Sequence, residues 1–112
     1  METVTSLSAE LVKNMVNLME EASSYEMSED MYNLYKIYYK RITNCVSAYV
    51  TGDAVFDLVD DAARKVYVNI SNMLNDKMFI AEKMNGGDYV VFNSLCDLLE
   101  EFIDDLEDVY EY

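Results

Sequence analysis

The stretch VVFNSLCDLLEEFIDDLEDVYEY, Val90–Tyr112, decides how this chain folds. At about 100° per residue, Val91, Phe92, Leu95, Leu98, Leu99, Phe102, Ile103, Leu106, Val109 and Tyr110 fill one half of a helical wheel. Asp97, Glu100, Glu101, Asp104, Asp105, Glu107, Asp108 and Glu111 occupy about 160° of the other half. The pattern predicts a two-sided helix, and its apolar half needs other elements to cover it.

Working outward, the same three-and-four spacing recurs upstream, and the punctuation between stretches is sparse. A first helix is expected from Ser8, read as its N-cap, to about Ala22, with Leu11, Val12, Met15, Val16, Met19 and Ala22 as its stripe. A second begins after Ser28, with Glu29 and Asp30 in the first turn where the helix dipole favours acids. Met31, Tyr35, Tyr38, Ile42, Cys45, Val46 and Tyr49 line its buried side. Gly52 reads as a stop and Asp53 as the next cap. The third helix carries Val55, Val59, Ala62, Val66, Ile70 and Met73. Its register continues to Ile80 and Met84, yet Lys77 falls on the apolar side and Phe79 off it, so a break is expected near Asn75-Asp76. Asn85-Gly86-Gly87 then forms a turn, and Asp88 caps the last helix. The reading is a single all-α domain over residues 1–112, a small bundle of four to five amphipathic helices.

With 112 residues, 52% of them hydrophobic, the chain can bury a real core and is not a disordered acidic tail. No stretch approaches a membrane span and no leader pattern opens the sequence, so a cytoplasmic protein is expected. Cys45 and Cys96 sit in apolar contexts and read as buried thiols. With 22 acids against 8 bases the net charge is −14, which repels nucleic acid and anionic membranes and favours basic partners.

Catalytic chemistry has no foothold in this sequence. Without His there is no imidazole base or histidine metal ligand, and neither paired-Cys nor EF-hand spacing occurs. The phosphate-cradling and nucleophile-elbow motifs are also missing. No cofactor, no metal and no enzymatic activity are expected; the chain reads as a binding protein.

The acidic half of the last helix is the strongest candidate surface. The last seventeen residues hold eight acids and no Lys, Arg or His. Neighbours at three and four residues make like-charge pairs that together cost about 2–5 kcal/mol at most. They also crowd the C-terminal end, where the helix dipole disfavours negative charge. Elsewhere charge is balanced: Asp60 faces Arg64, Asp61 faces Lys65, and Glu10 has Lys13. From Asp97 to Glu111 is about 21 Å at the helical rise. That spans about six phosphates of one B-DNA strand, so a rigid line of carboxylates suits a Lys/Arg groove. A merely solvated face, or another kind of basic partner, satisfies the same pattern.

An acidic helical chain of this size ending in LCDLLEEFIDDLEDVYEY resembles the phage-encoded DNA mimics, namely the anti-restriction proteins and the acidic anti-CRISPR inhibitors. The resemblance implies inhibition of a nucleic-acid-binding defence enzyme in the host cytoplasm by occupying its basic groove. The face read from the wheel for such contact is Asp97, Glu100, Glu101, Asp104, Asp105, Asp108 and Glu111.

MYNLYKIYYKR, Met31–Arg41, is the second unusual stretch. Tyr32 and Tyr39 fall at the margin of the core stripe, and Ile37 points to the polar side near Lys36, Lys40 and Arg41. This surface, Tyr32, Ile37, Tyr39, Lys40 and Arg41, suits a protein interface. The alternative function is therefore a helical assembly or adaptor subunit, with a homodimer as one form of it.

Overall fold

A computed structural model describes residues 4–50 and 56–110, with side-chain surroundings for residues 6–48 and 59–108. Five α-helices and no strands occur among them. They are α1 (Val4–Ala22), α2 (Glu29–Val50), α3 (Phe56–Asn75), α4 (Lys77–Lys83) and α5 (Gly86–Tyr110). The all-α bundle expected from periodicity is the architecture found. The stop and cap assigned to Gly52 and Asp53, the stripe position Val55, and the side chains of Tyr49, Val109 and Tyr110 lie outside the described residues, as does Glu111.

The 25-residue α5 is the spine. It packs against α1 on one flank and α3 on the other, while α2 lies mainly across α3 and α1. Leu7, Leu11, Met15 and Leu18 of α1 and Val59, Ala63, Val66 and Ile70 of α3 close on Phe92, Leu95, Leu99 and Leu106 of α5. From α2, Tyr35 and Tyr38 meet Phe92 edge-on, with ring centroids 6.3 and 6.4 Å apart. The buried Tyr35 hydroxyl donates to the Met15 carbonyl at 3.2 Å, which satisfies its one polar atom and ties α2 to α1.

Three expectations need correction, and a fourth is refined. The first helix begins by Val4, so Ser8 is not its cap; it sits one turn inside, buried, and its hydroxyl has no hydrogen-bond partner. The α1 stripe is accordingly rotated toward Leu7, Leu11, Met15 and Leu18, with Val12, Val16 and Met19 only half-buried. The break at Asn75-Asp76 is real, but it resets the register: Asp76 caps α4 by accepting from the Phe79 amide at 3.0 Å. Phe79 thereby packs on the core while Lys77 turns outward, which removes the misfit that pointed to the break. Last, α5 starts at Gly86, two residues before Asp88, and Asn85 is its cap.

Asp88 has a larger role than capping one helix. Asn85 Oδ1 accepts from the Asp88 amide at 2.8 Å, and the Asp88 carboxylate accepts from the Asn85 amide at 3.1 Å, a reciprocal capping box. The same carboxylate accepts from the Ser28 amide at 2.9 Å and the Ser28 hydroxyl at 3.0 Å. Ser28 is itself the cap of α2, accepting from the Met31 amide at 3.3 Å. One buried carboxylate therefore joins the positive ends of two helices sixty residues apart. Gly87 makes the approach possible, because a Cβ there would lie 2.5 Å from the Glu26 carbonyl oxygen.

Candidate functional site: the acidic face of α5

Burial of its apolar half fixes α5 with the acids outward. Asp97, Glu100, Glu101, Asp104, Glu107 and Asp108 are exposed and Asp105 is half-buried, so the stripe exists as a surface over the described part of the helix. From Asp97 to Asp108 it runs about 16 Å, the length of about five phosphates on one DNA strand. Its carboxylates are strung along a line rather than gathered: no group of three or more His, Cys, Asp or Glu that could hold a metal ion occurs among the described residues.

The two flanks of the stripe differ in chemistry. Against α1, a shallow depression is bordered by Glu10 and Asn14 on one side and Leu98, Glu101 and Asp105 on the other. Further along the same seam, Asn14, Asn17 and Glu21 face Ser94 and Asp97 across an open groove of about 420 Å³. This ordering makes α1 and α5 antiparallel and adds a second row of acids, Glu10 and Glu21, to the first. Sequence reasoning missed these two because helical periodicity reports which face is buried but not which neighbour covers it. Glu10 was assigned to Lys13, yet the two form no ion pair among the described residues. Lys13 is the one base in α1, and α5 has none.

The α3 flank is partly neutralised, which corrects the expectation that the stripe has no balancing base. Arg64 pairs with Asp60 one turn back at 3.0 Å, as its spacing predicts, and its other nitrogen reaches Glu107 of α5 at 2.6 Å. These two hydrogen bonds, that to Glu107 first, raise the already high Arg64 pKa. The pairs are well exposed and contribute at most about 1 kcal/mol each, so they orient the flank more than they stabilise it. Lys65 pairs with Asp61 at 2.9 Å, again as spaced. Tyr67 lines the same α3–α5 groove as Arg64 and Glu100. Negative charge at Glu100, then burial, then the neighbouring Cys96, Asp104 and Asp97 push its phenol pKa up. Burial, with Asp97 and Glu100 adding to it, likewise raises the Cys96 thiol and keeps it unreactive. Cys45 is half-buried, so only one of the two thiols is as enclosed as expected.

Three of the eight bases belong to α2. Lys36, Lys40 and Arg41 are exposed on α2, and Lys36 Nζ sits 5.0 Å above the Tyr32 ring. Arg41 lines an open groove with Arg64, Lys65 and Val68 of α3. Ile37 is 55% exposed and Val68 50%, while Tyr32 and Tyr39 are half-buried at the core margin as read from the sequence. The molecule thus presents an acidic surface along α5 and α1, and a mixed basic–apolar surface where Arg41 of α2 meets Arg64, Lys65 and Val68 of α3.

No helix among the described residues is long and apolar enough to cross a membrane. Compared with protein-family models, characterised proteins and solved structures, the chain matches none.

Proposed function

We propose that this protein is a non-enzymatic cytoplasmic inhibitor that occupies the basic nucleic-acid-binding surface of a partner protein through its α5–α1 face. The observation that carries this reading is the uncompensated run Asp97, Glu101, Asp104, Asp105 and Asp108 on a helix whose other half is locked into the core. Carboxylates carried on one packed helix need no backbone ordering when they bind, so less of the interaction energy is lost to entropy. A groove evolved for phosphates supplies the complementary Lys and Arg, and releases bound anions or nucleic acid as the inhibitor enters. Glu111 belongs to the same proposed surface from the sequence pattern.

Replacing Asp104 and Asp105 by Lys is expected to abolish partner binding while circular dichroism still reports a helical protein. Undiminished binding by the folded double variant would rule the face out. Exposed Ile37 favours a second reading, in which α2 joins copies of the chain through Tyr32, Ile37, Tyr39, Lys40 and Arg41 and the acids only keep the assembly in solution. Under that reading Ile37→Asp lowers the molar mass measured by light scattering, and a monomer in both proteins removes it.

A further inference from the structure

We propose that the groove between α3 and α5 is a slot for an arginine side chain of the partner, with the guanidinium against the Tyr67 ring and Glu100 and Asp104 accepting its N–H groups. The slot depends on the acidic-face reading and names what that face takes hold of. The groove is an open space of about 300 Å³ lined by Arg64, Tyr67, Val68, Glu100, Ile103 and Asp104, with Glu107 at its rim. Room of this size admits one long side chain.

One feature beyond negative charge selects guanidinium over ammonium, and two more suit any long cationic side chain. Half-buried Tyr67 offers an aromatic wall, on which a flat, weakly hydrated cation stacks better than a compact, strongly hydrated one. The effect of Glu100 and Asp104 on the phenol places both carboxylates within electrostatic reach of that wall. Half-exposed Val68, together with Ile103, supplies apolar surface for the methylene stem of the incoming residue.

The chain also carries its own example of the contact. The Arg64 guanidinium is seated at the rim, one nitrogen 2.6 Å from Glu107 and another 3.0 and 3.1 Å from the two Asp60 oxygens. Carboxylates of α3 and α5 thus hold one guanidinium at this seam through two of its nitrogens. Even with Arg64 counted, one cation stands against the four carboxylates of Asp60, Glu100, Asp104 and Glu107. The groove remains attractive to a second cation and repels phosphate.

Fluorescence anisotropy with labelled octa-arginine and octa-lysine peptides at low ionic strength tests the slot. The wild-type protein is expected to prefer octa-arginine. Tyr67→Leu should weaken octa-arginine about threefold to fivefold and leave octa-lysine within a factor of two, whereas Tyr67→Phe, which keeps the ring, should retain the preference. Arg64→Ala, which frees Glu107, should tighten octa-arginine. Equal affinity for the two peptides, or an octa-arginine affinity unchanged in folded Tyr67→Leu, overturns the slot while leaving the acidic face standing. Failure of both peptides to bind the wild-type protein removes the face and the slot together.

Discussion

The two ends of α5 use the same residue type in opposite ways. At the N-terminal end a single carboxylate, Asp88, is fully buried, accepts three hydrogen bonds and faces the positive ends of two helices. Toward the C-terminal end seven acids from Asp97 to Asp108 lie along the surface, and one of them, Glu107, has an ion-pair partner. The first arrangement is what stability selects, because a buried charge is tolerable only when its oxygens are satisfied. The second opposes stability, through like-charge neighbours and an unfavourable dipole end, and the fold bears it because the other half of α5 is so well packed. A helix that is anchored at one end and electrostatically strained at the other is suited to presenting charge rigidly.

The comparison breaks most easily at Asp88. Asp88→Ala leaves the Ser28 and Asn85 amides unpaired at once and is expected to lower unfolding free energy by about 3–4 kcal/mol in urea titration. A loss below about 1 kcal/mol would mean that the joint is dispensable. The neighbouring glycines sharpen the same point. Gly87→Ala drives a methyl into the Glu26 carbonyl and should cost about 2–3 kcal/mol, whereas Gly86→Ala, with open space around it, should cost nothing or stabilise slightly.

At the other end the sign reverses. Asp104→Asn with Asp108→Asn removes several like-charge contacts and should raise stability by about 1 kcal/mol at low salt, the gain shrinking as salt is added. Destabilisation by that pair would show that the acids hold the fold together. A smaller gain is expected from Ser8→Ala, which removes a buried unpaired hydroxyl and improves helix propensity, for about 0.5 kcal/mol in thermal or urea unfolding.

Much of this architecture was legible in the sequence, because helices announce themselves by period and their breaks by polar caps. The apolar half of α5, the start of α2 after Ser28 and the break at Asp76 each rest on such local signals, and each is found where the pattern put it. The errors are of two physical kinds. Residue preference makes Ser8 and Asp88 caps, but the fold decides otherwise: Ser8 is buried one turn inside α1, and Asp88 is claimed by Ser28 from sixty residues away. The second kind concerns neighbours. Arg64 was paired correctly with Asp60 from spacing on one helix, while its bond to Glu107 depends on how α3 lies against α5, which no periodicity encodes. For the same reason the acidic stripe was visible as a list of residues, and its two unlike flanks, Glu10 and Glu21 on one side and Arg64 and Tyr67 on the other, were not.

Competition with nucleic acid tests the central claim most directly. The protein is immobilised, partners from its native cellular background are captured at low salt, and duplex DNA or RNA is then titrated against them, with the Asp104→Lys/Asp105→Lys variant run in parallel. The captured species is expected to bind nucleic acid, to be displaced by the added duplex, to be lost as salt rises and never to be retained by the charge-reversed variant. A partner that stays bound through excess duplex and high salt, and that the variant captures equally well, would contradict it.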